Sequence, residues 1–316
     1  MIPVFAAIEA FAAMPSFAEH WEVWGLMSAI VAAGLYVARV IGPKVVDEGQ
    51  PVVTRRQAIA FWTGVVTMAA VSVWPMHDIA EQRLYSGHMV QHFVLTFVAP
   101  PLFLLATPTW LARLIVSTDG VAWKVIRNLG RPVPAWILFN GLQLLSHWEP
   151  FVTLSTTNGP FHFAAHVGFV VTAVLMWLPI CGPWPELRLS LPGQMIYLFT
   201  QSIIPTLPAA WLTISDSVIY PTYDTDPRLW GIGAHTDQVI AGLFMKVFEA
   251  AFLWLLIAIM FFRWAARHMS ADRQGLLLSE LEILAFEEGD DGGLGGHRLP
   301  ETQTPTETPP EPARSP

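Results

Sequence analysis

Pro160-Phe161-His162-Phe163-Ala164-Ala165-His166-Val167-Gly168-Phe169-Val170-Val171-Thr172-Ala173-Val174-Leu175-Met176-Trp177-Leu178-Pro179-Ile180-Cys181 contains no Asp, Glu, Lys or Arg. As an α-helix rising about 1.5 Å per residue, it is long enough to cross a hydrocarbon core of about 30 Å. Pro160 suits the first turn of such a helix, where its missing N–H is not needed. Two histidines interrupt the apolar run. His162 and His166 are spaced i, i+4, so their rings share one helix face with Cβ atoms about 5–6 Å apart, close enough for both to hold one metal ion. Ionisable groups are costly within a membrane and mark functional sites there.

The same device occurs earlier in the chain. His88 and His92, in His88-Met89-Val90-Gln91-His92, also have i, i+4 spacing inside an apolar run. The 316 residues are 53% hydrophobic and only 13% charged, whereas soluble domains carry about 25% charged residues. The pattern predicts an all-α, polytopic membrane helix bundle. No basic patch for nucleic acid is present, and the net charge of −8 arises largely from an acidic C-terminal segment. The single cysteine, Cys181, excludes an intramolecular disulfide and a cysteine-rich metal site.

Seven spans are expected, at about 21–41, 57–75, 86–107, 133–148, 160–181, 192–214 and 236–263. Asn140, Gln143 and His147 make the fourth the most polar. Pro100, Pro101, Pro205 and Pro208 are expected to kink their helices. Residues 1–20 read as a short translocated tail and 21–263 as the membrane domain. Residues 264–288 read as a cytoplasmic amphipathic helix and 289–316 as a disordered acidic tail rich in Pro and Thr. Lys44, Arg55, Arg56, Arg113, Lys124, Arg127, Arg131, Arg188, Arg263, Arg267 and Arg273 all follow odd-numbered spans. The opposite loops offer only Arg83 and Arg228 beside six acidic residues. This bias places the N-terminus outside and the C-terminus in the cytoplasm.

That orientation puts His88, His92, His147, His162 and His166 at similar depth, near the outer ends of three helices. Asp237 and Gln238 open the seventh span from the same side. A hydrogen bond at a helix end accounts for a single histidine, but two pairs at matched depth point to a shared metal site. Imidazole suits copper, zinc and iron. Asp237 is a candidate ligand, or a group that orients a ligating imidazole. His20, His77 and His235 read as interfacial or loop residues, Met89 and Met245 as packing residues, and Cys181 as a buried small hydrophobe. Lys246 and Glu249 are i, i+3 near the midplane. They read as a mutually neutralising pair facing the bundle, with an ion or proton relay as the alternative.

Three segments carry a family resemblance. The first is Ser86-Gly87-His88-Met89-Val90-Gln91-His92 with Val98-Ala99-Pro100-Pro101-Leu102 and Thr107-Pro108. The second is His147, His162, His166 and Met176-Trp177-Leu178-Pro179. The third runs from Asp237-Gln238 to Met245. Together, over about residues 21–263, they resemble the seven-helix bacterial cytochrome c oxidase assembly factors named CtaG, not the one-span copper chaperone of the same name. The resemblance implies a multi-pass protein of the bacterial inner membrane that matures haem–copper oxidases. It implies copper at the histidine cluster, delivered to oxidase subunit I alongside other assembly factors, without enzymatic activity. Where many members carry an apolar residue or Trp after Met245, this chain has Lys246. Three other readings compete: a haem-binding membrane redox protein, an intramembrane di-iron oxygenase or desaturase, and a copper transporter.

Overall fold

The computed structural model describes residues 14–17, 19–117, 120–226 and 228–290. Among them every regular element is a helix, and the expected all-helical membrane bundle is what forms. The chain divides into two compact units, Met1–Trp264 and Ala265–Pro316. Helix α1 runs Trp21–Val45 and α2 runs Arg55–Ser72. A capping box starts α2: the Gln57 amide donates to Thr54 Oγ1, and the Thr54 amide donates to Gln57 Oε1. The short α3, Met76–Gln82, is bent 46° from α2. Then come α4 (Tyr85–Ala106), the connectors α5 (Thr109–Ile115) and α6 (Val121–Leu129), and α7 (Pro132–Ser146). They are followed by α8 (Glu149–Thr157), α9 (Gly159–Cys181), α10 (Leu191–Gln201) and α11 (Thr206–Ile214). Helix α12 (Ala234–Phe244) leads through a π turn, Met245–Glu249, into α13 (Ala250–Asp290).

Five stretches are long and apolar enough to cross a membrane: α1, α4, α9, α10–α11 together, and α12 with the following helix to Ser270. The bent pair α2–α3 is apolar and long enough to make a sixth if the two helices form one broken span. The expected fourth span differs. Helix α7 has 15 residues, about 22 Å, where a span needs about 20 residues. Pro150 ends it physically, because it has no N–H for the Ser146 carbonyl. The chain turns into α8 instead of continuing.

Proline also shapes α4. Pro100 cannot donate to the carbonyl of Thr96, and a π turn at Val94–Val98 precedes it. The indole N–H of Trp177, on α9, donates to that Thr96 oxygen at 2.9 Å. A neighbouring helix thus satisfies the group the proline leaves free. Pro205 falls in the break between α10 and α11, whereas Pro208 sits in the first turn of α11, where it disturbs no helical bond.

The main core joins Phe97, Phe139, Met176, Trp177, Leu198 and Leu253, all essentially inaccessible. Outside it, Ile59, Trp62, Val66, Leu105, Val171, Ile196 and Leu255 are exposed. So much uncovered apolar surface on long helices needs lipid around it. Gly242 allows α12 to approach α11 closely, because an added Cβ would fall 2.6 Å from Thr213 Oγ1 and 2.8 Å from the Ala209 carbonyl. In the second unit the helix reaches Asp290, with Leu276, Leu277, Leu278 and Leu281 exposed. Residues 1–13, and the expected acidic tail from 291 onward, lie outside the described residues.

Candidate metal centre

The two histidine pairs meet. On α4 the rings of His88 and His92 have centroids 4.4 Å apart, and on α9 those of His162 and His166 are also 4.4 Å apart. Across the helices, His92 and His166 lie 4.9 Å apart, His88 and His166 5.9 Å, and His88 and His162 6.2 Å. One nitrogen from each of His88, His92 and His166 falls within 4.8 Å of the others. His88 Nδ1 and His166 Nε2 are buried and have no hydrogen-bond partner. Buried polar atoms are nearly always partnered, so unpartnered lone pairs that converge are a place for a cation.

These rings line a cavity of about 40 Å³ together with Tyr85, Met89, His147, Phe169 and Tyr223. His147 caps α7 and bonds the Gln143 carbonyl through Nδ1 at 2.7 Å. Its Nε2 is buried and unpartnered. Tyr220 fixes the same residue from the other side, donating its hydroxyl to the His147 carbonyl at 2.7 Å. Phe169 packs edge-on to His92 at 4.7 Å, and Tyr85 stacks on His88 at 6.1 Å. Thus α4 and α9 supply donors, and α7 holds a further imidazole at the cavity wall.

Asp237 takes a different part. Its Oδ2 accepts the Tyr85 amide at 2.5 Å, and its Oδ1 accepts the Ser86 amide at 3.1 Å and the Ser86 hydroxyl. Both oxygens therefore cap the first turn of α4, two residues before His88. The N-cap residue of that helix, Leu84, has no side chain able to do so. Asp237 is not among the residues whose donor atoms converge. It positions the helix that carries two of them. Gln238 accepts the Ile219 amide at 2.6 Å and so ties down the loop bearing Tyr220 and Tyr223. His235 bonds the Ser215 carbonyl at 2.8 Å, away from the histidine group.

Lys246 and Glu249 make no close ion pair among the described residues, although the Lys246 charge still acts on the Glu249 carboxylate. Lys246 is exposed and donates to Thr206 Oγ1 at 2.6 Å. Glu249 is buried with Oε1 unpartnered, beside a smaller cavity of about 20 Å³ that Met89, His92, Gln143 and Met245 also line. The two residues lie on a π turn, Met245–Glu249, which is wider than an α turn and changes their i, i+3 relation. Met89 and Met245 are packed in a common core cluster as well as bordering this cavity. Cys181 lies at the far end of α9, about 22 Å along the helix from His166.

Sequence reading missed one residue of the site. Glu81, on α3, bonds His162 Nε2 at 2.6 Å and His77 Nε2 at 3.2 Å. With His162 and His166 it forms a second convergent set within 4.8 Å. The signal was present as His77-Asp78-Ile79-Ala80-Glu81, another i, i+4 pair, but it lies in a short connector. Gly87 lets that connector sit against α4, since a Cβ there would be 3.3 Å from Ala80 Cα.

No curated protein and no solved structure matches the chain. The family model of cytochrome c oxidase caa3 assembly factors (Caa3_CtaG) matches residues 34–267, from within α1 onward and including every histidine of the cavity, and the chain belongs to that family.

Proposed function

We propose that this assembly factor carries copper as cargo, holding it at His88, His92 and His166 and releasing it to subunit I of the oxidase. The observation that carries the reading is the convergence of three imidazole donors, two of which, His88 and His166, have a buried nitrogen that lacks a partner. His147 Nε2 and the thioether of Met89, both at the same cavity, are further donors that suit copper. The charge bias of the loops orients the cavity toward the outer face of a bacterial inner membrane. A donor at the membrane edge can pass an ion to a partner's ligands without crossing the bilayer. Asp237 supports this by fixing the start of α4, and Tyr220 by fixing His147. No residue in this scheme makes or breaks a covalent bond, so the role is non-catalytic.

The geometry disfavours the competing readings. Five imidazoles crowd a cavity of about 40 Å³, which is too small for a haem ring. An intramembrane di-iron oxygenase draws on a larger set of histidines, often with an adjacent His-His pair, and the sequence has no such pair. The test is metal content. Full-length protein in mild detergent is loaded with copper, freed of excess, and assayed for copper per chain beside a His88→Ala, His92→Ala variant. Near-stoichiometric copper in the first and none in the second is expected. A wild-type protein that retains no copper, or one with a haem Soret band, would overturn the proposal. Copper uptake into sealed vesicles would reassign the protein as a transporter.

A further inference from the structure

The cavity has two overlapping sets of donors, and they differ in how they are occupied by the protein itself. The inner set is His88, His92 and His166, and in it His88 Nδ1 and His166 Nε2 are buried without a partner. The rim set is Glu81, His162 and His166. Here the carboxylate is already engaged, accepting from His162 at 2.6 Å and from His77 at 3.2 Å. His77 is held for this by Gln91, whose Nε2 donates to His77 Nδ1 at 2.9 Å and leaves Nε2–H for Glu81. Glu81 keeps a quarter of its side chain exposed, and His162 about a sixth. From His77 the line continues outward. His20 stacks edge-on to His77 at 4.5 Å, bonds Asp78 at 2.9 Å and approaches Glu22 at 3.4 Å; Glu22 is 63% exposed.

We propose that Glu81, His162 and His166 form a second metal station, where a copper ion arriving from solvent binds first and is then passed to the buried station. The inference rests on the copper-carrying reading above. The thermodynamic direction follows from the hydrogen bonds. An ion at the rim must displace a bond of His162, whose two nitrogens are held by Ser155 and Glu81, whereas an ion at the inner set meets the unpartnered nitrogens of His88 and His166. The rim station is therefore the weaker site and the buried station the stronger. His166 belongs to both sets, and a neutral imidazole offers a single lone pair for a metal. The two stations are thus alternatives for one ion, and His166 can stay bonded while Glu81 and His162 are exchanged for His88 and His92. The exchange is balanced. His162 remains neutral throughout: solvent takes the proton from Nε2 and returns one to Nδ1, and the new N–H donates to Ser155 Oγ at 3.0 Å. No electron is transferred.

The test uses the full chain in detergent and cupric ion, with loading followed by stopped flow and the bound state by electron paramagnetic resonance. Glu81→Gln keeps the shape of the rim and removes its charge. It is expected to reach the same final stoichiometry of one copper per chain but to load about tenfold more slowly, as loss of a steering charge at a cavity mouth implies. His92→Ala is expected to leave a weaker ion with a mixed oxygen and nitrogen donor set, and adding Glu81→Gln to it should abolish that signal. Loading of Glu81→Gln at the wild-type rate would overturn the rim station while leaving the buried one standing. So would two coppers per chain held at both sets, or an unchanged signal in the double variant. A wild-type protein that binds no copper would overturn both.

Discussion

The two histidine pairs have the same i, i+4 spacing and the same 4.4 Å separation between rings, yet their surroundings give them different chemistry. On α4, His88 has a buried nitrogen without a partner, and its helix start is fixed by a carboxylate from another helix. On α9, His162 is already bonded on both nitrogens, by Ser155 and by Glu81, while His166 reaches across to the other pair. Spacing along a helix decides which residues can act together. What each can do is decided by the residues that other helices bring to it.

The largest effect that tests this contrast is on copper affinity. Changing His88 and His92 to Ala removes two of three donors from the buried set, and the loss measured by chelator competition should exceed the roughly 10–100-fold that an outer-sphere partner costs. His162→Ala should cost about tenfold or less, because the buried set survives it. Equal losses in the two variants would erase the distinction between the pairs. Next in size is Asp237→Ala. It leaves the first amides of α4 uncapped in a buried setting, and a destabilisation of about 1–2 kcal/mol is expected in detergent unfolding, with partial recovery in Asp237→Asn. A stability equal to wild type would show that α4 does not depend on that carboxylate.

A pH effect follows for the outermost link. Burial opposes protonation of His20, but the hydrogen bond and charge of Asp78 override it, with Glu22 adding, so its pKa is raised above the ordinary value. A raised folded-state value means stability that is fully present below the unfolded value of about 6.5 and lost as pH climbs through the folded one. Asp78→Asn should therefore lower the unfolding temperature more near about pH 5 than in alkaline buffer; the opposite trend would remove His20 from the network. The smallest expected effect is that of Lys246→Met. Lys246 faces away from the cavity, so copper affinity should stay within about twofold of wild type, an effect of less than about 0.5 kcal/mol. A larger loss would restore the paired reading of Lys246 and Glu249.

Much of the architecture follows from the chain alone. Apolar length dictates membrane-crossing helices, because an unpaired backbone cannot stay in hydrocarbon. The i, i+4 spacing dictates that each histidine pair shares a face, because the α-helix repeats every 3.6 residues. Tertiary structure decided the rest. Depth along a helix can be counted from its ends, but azimuth depends on packing against neighbours. Only packing turned α4 and α9 so that His92 and His166 face each other, and gave Lys246 the Thr206 hydroxyl as its hydrogen-bond partner. Long-range contacts, invisible to local periodicity, also drew Asp237 to the start of α4, 151 residues from Ser86, and set Glu81 of a seven-residue connector helix against His162. Local geometry determined which residues could act as pairs, and the fold determined which pairs became a site.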